Sequence, residues 1–292
     1  MTHISGLAES GEIVTVQVTA PRSQAANPAF DVTPARLITG LMTERGIASA
    51  SREGLAQLYS EKRPTMLPRR RHAFAEAVVA AAQKMQALGL SPGRSGNISV
   101  RWKDGMLITA SGIRPEDLHV GGDIVFVDGA GTWAADATAP SSEWRFHKAI
   151  YDARPGVGAV VHCHSRYATA LACVHLPIPA FHYMVAKAGG VDIPLAPYAT
   201  YGTPELAEHA AAALANRNAC LLANHGQIAI GETLEDALEL AEEVEALAAQ
   251  YTVARSLAKP ALLPADEMQR VAEKFKTYGK AANPPTGWRS RS

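Results

Sequence analysis

The stretch "VVHCHS", residues 160–165, sets His162 and His164 two positions apart in an otherwise apolar run. On a strand, residues i and i+2 leave the same face, so the two imidazoles point together and Cys163 points the other way. A lone histidine there would be an ordinary core or surface residue. Two rings withdrawn from water at this spacing need a partner for each ring nitrogen, and one bound cation serves both. Catalytic zinc usually takes three protein ligands, with His and carboxylate as fitting donors, and keeps a position for substrate or water. His162 and His164 are therefore too few. His225 stands out as a further candidate because it ends "ACLLANHG" just before Gly226, where a tight turn would leave it at a sheet edge facing a cleft. Glu143 in "PSSEWRFH" is the carboxylate of choice, although the first turn of a helix stabilises a carboxylate through its dipole without any further role. Glu143 and His147 stand i and i+4 on one helical face, where a simple surface pair is a better reading than a local metal pair. His209, in an Ala-rich helix, reads as a solvated-face residue.

Three short Gly/Ser segments offer a second kind of chemistry: "GRSGNIS" (93–99), "TASGI" (109–113) and "PSS" (140–142). Backbone N–H groups and hydroxyls at such turns, together with a helix N-terminus, hold a phosphate without Lys or Arg. Each segment alone is explained by turn chemistry. Their value depends on whether the fold brings them together.

The elements that must do so alternate along the chain. A helix through 72–88 stops at Gly89, and "NISVRW", "GMLITA" and "DIVFVD" follow as a strand meander. A helix over about 142–153 leads to the strand "GAVVHCHS", the helix "RYATALACV", a loop through "LPIPAFHYM" and the helix "TPELAEHAAAALANR". The strand "ACLLANHG" turns into "QIAIGE", and a long helix runs over about 233–257. Strands and helices in this order predict a three-layer α/β domain with a mixed sheet. Residues 1–65 read as an N-terminal extension, partly helical near 34–45 and 52–61 or irregular, residues 66–275 as the main domain, and residues 276–292 as a mobile tail.

In a chain of 292 residues, 28 Lys+Arg balance 28 Asp+Glu, so no global field attracts nucleic acid or an anionic membrane, and the expected partner is small. No apolar run is long enough to cross a bilayer, and the N-terminus carries no basic-then-apolar leader, which places the expected setting in the cytoplasm. Cys163, Cys173 and Cys220 form an odd set without C-x-x-C spacing and read as reduced packing residues.

Taken together, "SGNISVR", "MLITASGIRPEDL", "IVFVDG", "PSSEWRFHKAIYDARPGVGAVVHCHS", "IPAFHYMVAKAGG", "PYATYGTPELAEH" and "NHGQIAIGETLEDALELAEEVEALAAQY" resemble the class II aldolase/adducin family, nearest to its L-fuculose-1-phosphate aldolase-like enzymes. The resemblance runs over residues 72 to 253. It implies a three-layer αβα fold with a mixed, largely antiparallel sheet, and a Zn2+ site (Mn2+, Fe2+ and Co2+ suit the same donors) made by His162, His164 and His225 with Glu143 as ligand and acid/base. It implies that Gly96, Asn97, Ser111, Gly112, Ser141 and Ser142 surround a phosphate, and that Tyr183 reaches a neighbouring subunit's site as proton donor in a homotetramer. The implied reaction splits a ketose 1-phosphate, of the L-fuculose 1-phosphate or 5-substituted ribulose 1-phosphate kind, into dihydroxyacetone phosphate and an aldehyde. Such cleavage leaves an enediolate, whose charge a cation stabilises as Lewis acid while Glu143 moves a proton. Alternatives on the same fold are a decarboxylase of a hydroxy or keto acid, a sugar-phosphate epimerase, and a non-catalytic adducin-like binding module. The chain departs from its relatives in its N-terminal extension, in Asn224 before His225, and in Arg94 before Ser95-Gly96. Arg94 either adds a charge-assisted contact to a phosphate or carboxylate or points to solvent, the second being slightly favoured; Lys187 suggests no Schiff base, and Tyr278 is a weak counterpart to a C-terminal lid tyrosine.

Overall fold

The structure, a computed structural model, describes residues 3–7, 13–17, 38–43, 46–51, 54, 57–58 and 69–275. The chain divides into two compact units, Met1–Met66 and Leu67–Ser292. In the first, β1 (His3–Leu7) pairs antiparallel with β2 (Ile13–Gln17), and β3 (Leu41–Thr43) with β4 (Gly46–Ala48). The helical reading of 34–45 is corrected by β3. Gly46 follows at φ 129°, a conformation that no helix continues through, and the chain doubles back as a hairpin. Of the 52–61 stretch, Gly54, Gln57 and Leu58 are described and are helical. The 276–292 tail and Tyr278 lie outside the described residues.

The second unit is built on one seven-stranded sheet. Its strands are β5 (Asn97–Trp102), β6 (Gly105–Thr109), β7 (Ile124–Val127), β8 (Ala159–Cys163), β11 (Leu195–Ala196), β12 (Ala219–Leu222) and β13 (Gly226–Gly231), in the order β11-β12-β13-β8-β5-β6-β7. Only β11 with β12 is parallel, so the sheet is mixed and largely antiparallel. The short β9 (Ile178–Pro179) and β10 (Asp192–Ile193) pair separately.

Helices cover both faces, which is why the strands read as apolar on both sides. On one face α1 (Arg69–Ala87) and α5 (Leu234–Leu257), with α3 (Arg166–Cys173) and α6 (Ala265–Phe275), cover Ile98, Val100, Leu107, Val161, Cys163, Leu221 and Ala229. On the other, Phe146 and Ile150 of α2 (Trp144–Ala153) and Leu206 and Ala210 of α4 (Pro204–Ala213) cover Met106, Ile108, Val160, Cys220, Ile228 and Ile230. Thr203 caps α4 with Pro204 at its first turn, and Thr233 with Asp236 forms a capping box on α5. Cys163 and Cys220 are buried packing residues as expected, whereas Cys173 is exposed at the end of α3.

Alternation along β8 sends Val160 and His162 to the α2/α4 face and Val161 and Cys163 to the other. Along β5 the same rule gives that face Asn97 and Ser99, and the register sets Asn97 directly opposite His162. A polar row thus lies beneath α2 at the centre of the sheet.

Candidate active site

His162 is the last residue but one of β8, and His164 follows two residues on, where the strand has ended. His225 arrives from the β12–β13 connection. Asn224 before it stands at φ 54°, a left-handed conformation that asparagine tolerates better than most residues, and its Oδ1 lies 2.6 Å from His175 Nε2. Glu143 is the N-cap residue of α2, yet its side chain makes no cap hydrogen bond. The carboxylate instead turns toward the sheet, with Oε2 3.2 Å from His162 Nε2 and Oε1 3.1 Å from His225 Nε2. One donor atom from each of Glu143, His162, His164 and His225 lies within 4.8 Å of the other three.

Several observations test whether these residues suit a cation. His162 Nδ1 donates to the Gln227 carbonyl oxygen at 2.8 Å, which turns Nε2 toward the cluster. Nε2 faces a carboxylate oxygen and, at 2.9 Å, His164 Nε2. Glu143 Oε1 is buried and has no hydrogen-bond or ion-pair partner among the described residues besides the His225 ring nitrogen 3.1 Å away. Burial, with His162 and His225 beside it, holds the His164 imidazole down to about 3, in its neutral ligand form. Burial pushes the Glu143 carboxyl up, but His162 and His225 outweigh it and hold the group far below the usual carboxylate range. Three imidazole nitrogens and a carboxylate converging in this way are a fitting donor set for one divalent cation, and the Gln227 carbonyl orients His162 as metal-site supports do.

Glu143, His164 and His225 form the floor of a 320 Å³ cavity whose walls include Gly96, Asn97, Ser111, Gly112, Ser141 and Ser142. The three loops therefore meet. Ser111 N–H donates to Ala139 O and Ser141 N–H to Thr109 O, which zips the second and third loops side by side. Gly96 stands at φ 85°, and a Cβ there would come within 2.3 Å of Ser91 Oγ and 2.9 Å of the His162 carbonyl oxygen, so only glycine lets this loop pass.

Not every expected residue joins the cavity wall in the expected way. The Asn97 side chain is turned inward: its Nδ2 donates to Glu143 Oε2 at 2.9 Å and its Oδ1 lies 2.5 Å from His147 Nε2. His147 is fully buried, not part of a surface pair, because α2 presses it onto Ser99 and Asn97 of β5. Arg94 is exposed but lines the cavity, so it is not simply solvent-directed. Tyr183 opens a 3-10 turn, is 48 % exposed, and is not among the residues lining the cavity. Lys187 lies 3.5 Å from Glu243, and His209 Nδ1 lies 3.2 Å from the Pro197 carbonyl oxygen. Sequence reasoning passed over Tyr198 and Tyr201, which line the cavity from the 197–203 loop. Two tyrosines flanking "AT" before a capped helix were the available signal.

Residues 76–252 match the family described as Class II Aldolase and Adducin N-terminal domain, and the chain belongs to it. It is 54% identical over 220 residues to a 5-methylthioribulose-1-phosphate/5-deoxyribulose-1-phosphate aldolase of Rhodospirillum rubrum, covering 75% of this chain and 99% of that one. It is 50% identical over 210 residues to the L-fuculose phosphate aldolase of Escherichia coli K12, covering 72% and 97%. A solved structure of an L-fuculose 1-phosphate aldolase superposes with a TM-score of 0.68 at 42% identity, over 70% of this chain and 96% of that one.

Proposed function

We propose that the chain is a metal-dependent aldolase that splits a ketose 1-phosphate into dihydroxyacetone phosphate and an aldehyde. The observation that carries this reading is the convergence of three imidazoles and one carboxylate, of which Glu143, His164 and His225 line a cavity walled by three Gly/Ser loops. The names of the relatives support the same substrate class. When bound, the cation, zinc by preference, supplies Lewis-acid stabilisation of the charge that develops on the hydroxyketone oxygens as the carbon–carbon bond breaks.

The chain's own groups do the rest. Gly96, Ser111, Gly112, Ser141 and Ser142 offer N–H and O–H donors to phosphate oxygens, and Arg94 adds a positive charge at the rim. Glu143 Oε1, the oxygen not held by the Asn97 amide, takes and returns the proton at the carbon of the ketone half. Tyr183 lies outside its own chain's cavity and is half exposed, which suits the donation of its phenol proton to the aldehyde oxygen in a neighbouring copy, within a homotetramer of cytoplasmic setting.

The test is cleavage of L-fuculose 1-phosphate, 5-deoxyribulose 1-phosphate and 5-methylthioribulose 1-phosphate by zinc-loaded protein, with the ketone product trapped enzymatically. Aldehyde release from at least one is expected. Carbon dioxide from a hydroxy acid, with no aldehyde from any ketose phosphate, would overturn the reading.

A further inference from the structure

Beneath the metal cluster, a string of buried side chains runs from Glu143 along β5 and into α2: Asn97, His147, Ser99 and Tyr151. Its protons can be assigned from one end. The Glu143 carboxylate only accepts, so the Asn97 amide turns its NH2 to it, as the 2.9 Å contact records. Asn97 Oδ1 then faces His147 Nε2 at 2.5 Å, so Nε2 carries the ring proton. His147 is fully buried, its ring nitrogens meet Asn97 Oδ1 and Ser99 Oγ and no carboxylate oxygen among the described residues, and a neutral ring with Nε2–H leaves a lone pair on Nδ1. Ser99 Oγ, 2.7 Å away, donates its single proton to that lone pair. Having spent it, Ser99 accepts from the Tyr151 hydroxyl at 2.9 Å. Arg101 stacks over the Tyr151 ring at 4.7 Å and holds the end of the string in place.

Every hydrogen bond therefore points the same way, from Tyr151 toward Glu143. We infer that His147, Ser99 and Tyr151 are positioning residues that lock the Asn97 amide with its NH2 on Glu143 Oε2, so that Oε2 is pinned and Oε1 is the oxygen that moves the substrate proton. The lock works by exclusion. If the His147 proton moved to Nδ1, Nε2 and Asn97 Oδ1 would set two lone pairs against each other; the amide would flip and put Oδ1 against the carboxylate. The inference rests on the proposed role of Glu143, but the proton positions it requires do not depend on the substrate.

Neutron diffraction on deuterium-exchanged crystals of the full-length, zinc-loaded protein tests it directly. The expected result is a deuteron on His147 Nε2 and none on Nδ1, with the Ser99 deuteron aimed at His147. A deuteron on Nδ1, or an Asn97 amide with its oxygen toward Glu143, overturns the inference. Kinetics supply the second test. Ser99→Ala is expected to lower kcat by about 10- to 100-fold, the cost typical of groups that orient a metal site, while KM changes little. His147→Gln, which keeps a donor for Asn97, is expected to recover more of kcat than His147→Leu. Wild-type kcat in Ser99→Ala sinks the idea, as does equal damage from Gln and Leu in proteins that fold and retain zinc. If no ketose phosphate is cleaved by the wild type, the aldolase reading falls while the diffraction result still decides the proton string.

Discussion

At the scale of single residues, Glu143 and Arg94 separate binding from chemistry. Glu143→Gln keeps the shape and removes the charge and the proton acceptor. It is expected to cut kcat by about 10²- to 10⁴-fold, the usual worth of a positioned acid–base group, at zinc occupancy confirmed by elemental analysis. Retained kcat in a zinc-replete variant would remove Glu143 from the reaction. Arg94 has no ion-pair or hydrogen-bond partner among the described residues and stands exposed at the rim, so its pull on a phosphate is screened. Arg94→Thr should raise KM by about two- to five-fold, the equivalent of roughly 0.4–1 kcal/mol, leave kcat unchanged, and weaken the dependence of KM on salt. A change in kcat instead would move Arg94 out of the phosphate subsite. The four residues of the His/Glu cluster were legible because their meaning is carried by type and short spacing: two histidines at i and i+2, a third at a strand end before glycine, a carboxylate at a helix start. Asn97 and His147 were not. Both roles depend on which strand lies opposite β8 and which face α2 presents, and neither is a local property of the sequence.

At the scale of elements, the site exists because backbones pass close to one another at the ends of β5 and β8. Gly96 is the contact point: its φ of 85° and the His162 carbonyl oxygen 2.9 Å from a would-be Cβ leave no room for a side chain. Gly96→Ala pays the left-handed penalty of about 1–2 kcal/mol and must displace the Ser91 hydroxyl and also push β5 from β8, because the second blocking atom, the His162 carbonyl oxygen, is backbone. A lowered urea midpoint together with weaker zinc retention is the expected result. Lowered stability with unaltered zinc affinity would show that the strand ends are not what holds the histidines. The helices and central strands were readable from period and caps, as in "TPELAEH" and "TLED". The two-residue strands β9, β10 and β11 were not, since segments that short have no period, and neither was the strand β3, where a helical spacing over 34–45 yields to the turn at Gly46.

At the scale of the whole molecule, a core on both faces of one sheet encloses ionisable groups that must stay neutral, and these set the pH range in which the fold is stable. Burial pulls His147 from 6.5 to about 3. Below pH 6.5 the unfolded chain binds a proton that the native state refuses, so this contribution, fully present above 6.5, is lost as pH falls toward 3. Glu143, depressed below its ordinary 4.5, adds to the loss at lower pH with the same sign. On the alkaline side burial pushes Cys163 and Cys220 from 9 up to about 12. Above pH 9 the unfolded thiols ionise while the native ones do not, so their contribution is lost as pH rises. Each group bends the profile by at most about 1.4 kcal/mol per pH unit. Urea midpoints of the metal-free protein, measured in reductant from pH 4 to 11, are therefore expected to form a plateau between about 6.5 and 9 with a falling limb on each side. His147→Gln, which cannot titrate, should shallow the acid limb alone, and Cys163→Ala with Cys220→Ala the alkaline limb alone. An acid limb of unchanged slope in His147→Gln would show that protonation elsewhere, and not the neutral imidazole beneath the metal cluster, limits the fold in acid.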